Sequence, residues 1–217
     1  MKKIVALLSI FLFTSFTVLK AQTHPTIADD EIILKQLLDA NSNFCKGILK
    51  HPDDDTMTRK ALVKGQNPKA VIVTCSDSRV SPELLFDQGL GDLFVIRVAG
   101  NVIDDDVLAS IEYAVEHLHV GLVIIMGHES CGAVKAAVAG GEAPGHLPVL
   151  IEKIAPAVKL AKTQSGDTIE NAVKNNTKAG SAEVAEDLNK LIEDYQHKIK
   201  VVAAEYHLQS GKVEILK

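Results

Sequence analysis

The run Ala70-Val71-Ile72-Val73-Thr74, followed at once by Cys75-Ser76-Asp77-Ser78-Arg79, decides how the rest of the chain is read. Successive apolar and β-branched residues without polar alternation suit a strand covered on both faces, and such strands belong to parallel sheets. Leu93 to Val98 and Leu122 to Met126 have the same character. Between them Leu108, Ile111, Ala114, Val115 and Leu118 form one stripe. That spacing predicts a crossover helix over Val107 to Leu118, with Asp104, Asp105 and Asp106 at the positive end of its dipole. Further out, Ile33, Leu37, Phe44 and Ile48 predict an amphipathic helix over Asp29 to Leu49, capped by Asp29 or Asp30. His51-Pro52-Asp53-Asp54-Asp55 reads as a solvated loop. A short helix is expected over Gly132 to Ala139, a loop to Pro148, and helices over Val149 to Lys162 and Glu183 to Lys198. Lys200 to Leu208 and Val213 to Leu216 form a terminal hairpin around Gln209-Ser210-Gly211-Lys212. The class is α/β: a mostly parallel central sheet of about four parallel strands plus a C-terminal antiparallel edge strand, flanked by helices.

The 217 residues, 47% of them apolar, are enough for one core and thin for two. A formal net charge of −5 with dispersed basic residues lacks the electrostatic stripe that grips nucleic acid. Lys2 and Lys3 precede an uncharged apolar run from Ile4 to Leu19, and Ala21 follows. This pattern predicts a signal peptide over 1–21 and a single mature domain over 22–217, exported to the periplasm or secreted, with no stable membrane insertion after processing. A retained anchor is the alternative, because the run approaches the roughly 20 residues that span a bilayer. Cys45, Cys75 and Cys131 make an odd count. Two cysteines of an exported chain ordinarily read as a disulfide, but the neighbours of Cys75 and Cys131 point to a metal. Cys45, on the first helix, reads as a small half-buried hydrophobe.

Ligands of an open α/β sheet collect beyond the carboxyl ends of its strands. Cys75 begins where the first run stops, and Gly127-His128-Glu129-Ser130-Cys131-Gly132 begins where the third stops. His128 and Cys131, three residues apart, can face one ion, with Cys75 supplying a third ligand. Two thiolates and an imidazole suit one zinc ion per chain, and three protein ligands leave the open position of a catalytic site. A helix starting near Gly132 favours the Cys131 thiolate. Asp77 and Arg79 can pair, which holds the carboxylate ionised as an acceptor beside the metal. A structural ion pair bracing the loop is the other reading of that dyad. Gly127 to Gly132 spaces Ser130 wrongly for a nucleophile elbow, and His128-Glu129 lacks the second histidine of a zinc-protease helix.

These residues, with Gly65-Gln66-Asn67-Pro68, Asp92 to Arg97, Asn101 and Ile111-Glu112-Tyr113-Ala114, resemble the β-carbonic anhydrase family from roughly Asn41 to the terminal hairpin. The resemblance implies zinc-dependent, reversible hydration of carbon dioxide to bicarbonate and a proton by a zinc-bound hydroxide. It makes Cys75, His128 and Cys131 the ligands and Asp77 with Arg79 the orienting dyad. It places Gln66, Phe94, Ala99, Tyr113 and Gly132 at the substrate. One branch of the family closes its site with the aspartate, guided by a set that includes a tryptophan; this chain has no tryptophan, so the plant-like open site is expected. Activity should rise with pH as hydroxide forms. Family members exchange amino-terminal helices, which implies a homodimer or homotetramer. Relatives that hydrolyse carbon disulfide, and a zinc or thiol protein without catalysis, are the alternative readings. His51, His117, His119, His146 and His207 cannot be ranked as proton carriers, and each is expected at the surface.

Overall fold

The computed structural model describes residues 27–191 and 198–217. The segment expected to direct export, 1–21, and part of the helix expected to reach Lys198, 192–197, lie outside the described residues. In chain order the elements are α1 (Ile27–Cys45), α2 (Thr56–Leu62), β1 (Ala70–Thr74), α3 (Pro82–Leu85), β2 (Leu93–Arg97), a tight turn at Ala99–Asn101, α4 (Asp105–Leu118), β3 (Leu122–His128), α5 (Gly132–Ala139), α6 (Leu147–Ala161), α7 (Thr168–Leu191), β4 (Lys200–Tyr206) and β5 (Val213–Ile215).

The strands form one sheet in the order β2-β1-β3-β4-β5. The first four are parallel and β5 turns back on β4, as the sequence predicts. From β1 the chain moves to β2 on one side, then returns past β1 to β3 on the other. The carboxyl ends of β1 and β3 therefore flank a reversal of strand order, where such sheets leave a crevice.

The lack of polar alternation in β1 and β3 has a direct cause, since both faces are covered. Ile72, Leu122, Ile124 and Met126 meet Leu34 and Leu37 of α1 and Leu85 of α3. Val71, Val73, Val123 and Ile125 meet Ile111 and Val115 of α4 and Val184 and Leu188 of α7. Each such aliphatic side chain contributes about 1.5–3 kcal/mol by leaving water. β2 carries the same kind of run but sits at the sheet edge and is only half-buried.

Several expectations need correction. Asp29 and Asp30 do not cap α1; they lie in its first turn. Asp30 is buried against Gly121, where a Cβ would come within 2.4 Å of its carboxylate, and this burial, more than the charge of Asp29, pushes its carboxyl up to about 6. α1 stops at Cys45, and Ile48, counted in its stripe, is 59% exposed. Cys45 is exposed rather than half-buried. Asp55 does not end a plain loop: it caps α2, accepting from the Thr58 amide at 2.7 Å. Asp104 does cap α4, accepting from the Val107 amide at 2.9 Å. α7 starts at Thr168 rather than Glu183, because Ala172, Asn176, Thr177 and Gly180 on its buried face are too small or polar to register as an apolar stripe.

Candidate metal centre

Cys75 follows the last residue of β1, His128 ends β3 and Cys131 stands immediately before α5. The two strand ends are held in register, Thr74 opposite Met126, and the Thr74 hydroxyl donates to the Met126 carbonyl at 2.9 Å. Ser130, with φ of 58°, turns the chain sharply between His128 and Cys131. The result is that the donor atoms of Cys75, His128 and Cys131 lie within 4.8 Å of one another, all buried.

The geometry fits zinc. Two sulfurs at about 2.3 Å from a tetrahedral ion stand about 3.8 Å apart, and the Cys75 and Cys131 Sγ atoms are 3.9 Å apart. Both are free thiols, far outside the roughly 2.05 Å of a disulfide. His128 Nδ1 is 2.9 Å from the Glu129 carbonyl. A carbonyl only accepts, so Nδ1 carries the proton and Nε2 is left bare. That Nε2 is buried with no hydrogen-bond partner among the described residues, a cost that a metal removes.

The charges agree. The Cys75 thiol is held down to about 4, first by its hydrogen bond with Cys131, against burial, and further by His128 and the Gly100 amide. Cys131 is pushed up, first by sharing with Cys75 and then by burial; the amides of Val134 and Ala133 at the start of α5 pull the other way without prevailing. The pair gives up one proton readily and resists losing the second, the state that a divalent cation resolves. Arg79 grips Asp77 twice, Nε to Oδ1 at 2.9 Å and Nη2 to Oδ2 at 2.7 Å. This bidentate contact, more than any other, holds the half-buried Asp77 carboxyl well below the usual carboxylate range. Asp77 Oδ2 stands 3.9 Å from His128 Nε2, so a fixed negative acceptor borders the three donors.

The expected pocket residues divide. Ala99 opens the turn beside Cys75, whose sulfur accepts from the Gly100 amide at 3.2 Å. Gly132 opens α5, with nothing within 4 Å of where a Cβ would stand. Gln66, Phe94 and Tyr113 are not brought to this cluster within one chain. Gln66 is exposed on the loop before β1, at the opposite edge of the sheet from Cys75. Phe94 lies opposite Val71, about 13 Å along the strand from Cys75 at 3.3 Å per residue. Tyr113, 46% exposed on α4, packs on Phe94 at 6.2 Å between ring centres.

Sequence reasoning missed the residues that hold the turn. Arg97 donates from Nε to the Cys75 carbonyl at 3.2 Å and from Nη2 to the Asp77 carbonyl at 2.7 Å. Asn176 of α7 donates to the Gly100 carbonyl at 2.8 Å. An arginine ending an apolar strand was the only visible signal.

The profile of the carbonic anhydrase family matches residues 70–213. Carbonic anhydrase of Mycolicibacterium smegmatis is 38% identical over 186 residues, covering 83% of this chain and 90% of that protein. Carbonic anhydrase 2 of Mycobacterium tuberculosis is 49% identical over 132 residues, 59% of this chain and 64% of that one. Among solved structures, the β-carbonic anhydrase CafA of Aspergillus fumigatus superposes with a TM-score of 0.63 at 30% identity, over 73% of this chain and 80% of its own.

Proposed function

The chain belongs to the β-class carbonic anhydrase family, and from that premise we propose that it catalyses the reversible hydration of carbon dioxide to bicarbonate and a proton, with zinc held by Cys75, His128 and Cys131. The observation that carries this is the bare, buried Nε2 of His128 facing two thiols at the spacing a tetrahedral ion requires. When bound, zinc supplies Lewis acidity that brings the ionisation of water toward neutral pH.

The protein's own groups do the rest. Arg79 keeps Asp77 charged and turned, so its free lone pairs would accept a hydrogen bond from the attacking oxygen and orient that oxygen toward carbon. Because Arg79 occupies both oxygens of Asp77, the open, plant-like form of the site is the one proposed. The Gly132 amide at the start of α5 is a donor for a substrate oxygen, and Ala99 borders the same space.

Gln66, Phe94 and Tyr113 complete the pocket when presented by a second copy. This assigns the chain to a homodimer, or a homotetramer built from it, with β2 and α4 toward the partner. The exposed side chains of Leu84, Leu90 and Tyr113 support that reading. Export to the periplasm or outside the cell rests on Lys2, Lys3 and the run to Ala21, and a mature protein that does not begin near Gln22 would remove it.

The test is stopped-flow hydration of carbon dioxide together with zinc content. The wild-type chain should carry one zinc and be active. Cys131→Ser should lose both, by more than the roughly 10–100-fold that outer-shell changes cost. Full activity in metal-free Cys131→Ser protein would refute the proposal.

A further inference from the structure

Beside the metal loop lies a cavity of about 430 Å³, bordered by Glu129 and Ser130, the residues between two of the proposed zinc ligands. Its far wall is the start of α7, with Ile169 and Glu170, and its floor is the end of β4, with Glu205 and His207; Lys135 also lines it, but among the described residues it pairs with none of these carboxylates. Nothing in the hydration reaction uses it.

Glu205 is its unusual member. It lies opposite Gly127 in the sheet and is 1% exposed. Oε1 has no hydrogen-bond partner among the described residues. Oε2 has only Lys174 at 3.8 Å, and that ammonium is committed to Glu170 at 2.6 Å. Asp167 accepts from the Glu170 amide at 2.8 Å. Glu129 accepts from the Gln209 amide at 3.0 Å and faces His207 at 3.5 Å. The acceptor left over is Glu205 Oε1. Burial pushes this carboxyl upward, as it does for a carboxylate that has lost water without gaining a donor in its place.

A bare metal ion does not meet it. Among the described residues only Cys75, His128 and Cys131 gather three ligand atoms within 4.8 Å, so the carboxylates and His207 are too spread to share one ion. An ammonium group carries several N–H donors on a methylene stem, and the stem suits Ile169 and the cavity volume. We propose that this cavity, closed by the unpartnered carboxylate of Glu205, is a binding site for a small organic cation bearing a primary ammonium group.

The test titrates putrescine into isotope-labelled, zinc-loaded full chain and follows amide chemical shifts. Saturable shifts are expected at Ser130, Ile169 and His207, absent with the neutral diol of equal length. Glu205→Gln should weaken binding about tenfold or more. If that variant does not fold, Glu170→Gln decides: it frees Lys174 for Glu205 and should weaken binding several-fold, and unchanged affinity would overturn the proposal. Non-saturating shifts spread over the acidic surface, or the same shifts from calcium at lower concentration, would also overturn it. Zinc content and hydration rate report on the metal centre separately, so failure here leaves the proposed hydration activity standing.

Discussion

Arg97 hydrogen-bonds the backbone on both sides of Ser76, at the Cys75 and Asp77 carbonyls. One planar guanidinium thus fixes the peptide that carries a ligand and the peptide that carries the dyad. Lysine, a single point of charge on a flexible stem, cannot span both. Arg97→Lys should therefore keep the fold but lower zinc affinity about 10–100-fold, read by competition with a chelator; unchanged affinity would show that the loop holds itself. The sulfur pair makes a second prediction. Cys75 is held down and Cys131 pushed up before metal binds, while His128 already has Nε2 bare. Zinc binding near neutral pH should then release about one proton per ion, the one on Cys131. Calorimetry in buffers of different ionisation enthalpy measures this; run at mildly acidic pH, where water on the ion would keep its proton, a count near two would mean that Cys75 is also protonated in the free protein.

Elements place these residues through close backbone approach. Gly127, one residue before His128, has Thr177 of α7 so near that a Cβ there would lie 2.1 Å from Thr177 Oγ1. Gly127→Ala should cost about 1–3 kcal/mol in denaturant unfolding by pushing α7 off β3. Thr177→Ala in the same chain should restore part of that, since it removes the clashing hydroxyl; additive losses would mean that the strain lies elsewhere. The same contact explains what the sequence left hidden. β1, β3 and α4 were legible because their burial rests on large aliphatic residues with a clear period. The first half of α7 was not, since it packs through Ala172, Thr177 and Gly180, whose role is to be small. α2 buries none of its residues and has no stripe to read. Within the centre, ligands and dyad were legible because their chemistry is carried by side-chain type and strand-end position. Arg97 and Asn176 were not, because both act on carbonyls that any sequence would supply.

At the scale of the whole molecule, one chain holds a cluster of metal-ligating side chains at the carboxyl edge of its sheet and a second set, exposed Gln66 and Tyr113 with half-buried Phe94, displaced toward the amino edge and the open side of β2. Gln66 precedes the amino end of the fully buried β1 and Cys75 follows its carboxyl end, so the length of that strand separates them within one chain. If the set serves catalysis, it serves the centre of a neighbour. The two possibilities differ in a mixing experiment. Cys75→Ser should be inactive for want of a ligand, yet still present an intact Gln66. Gln66→Ala should keep its zinc but present nothing to its partner, with hydration reduced. Refolded together in equal amounts, half of the dimers pair one of each, and in those the zinc-bearing centre faces the intact Gln66. Activity should rise to about a quarter of wild type on a per-chain basis, given a two-fold arrangement in which each copy completes the other. Residues that acted within their own chain would give no recovery, because neither parent centre is repaired. A mixture no more active than the sum of its parents would end the shared-pocket account and return Gln66 and Tyr113 to the solvent-facing surface.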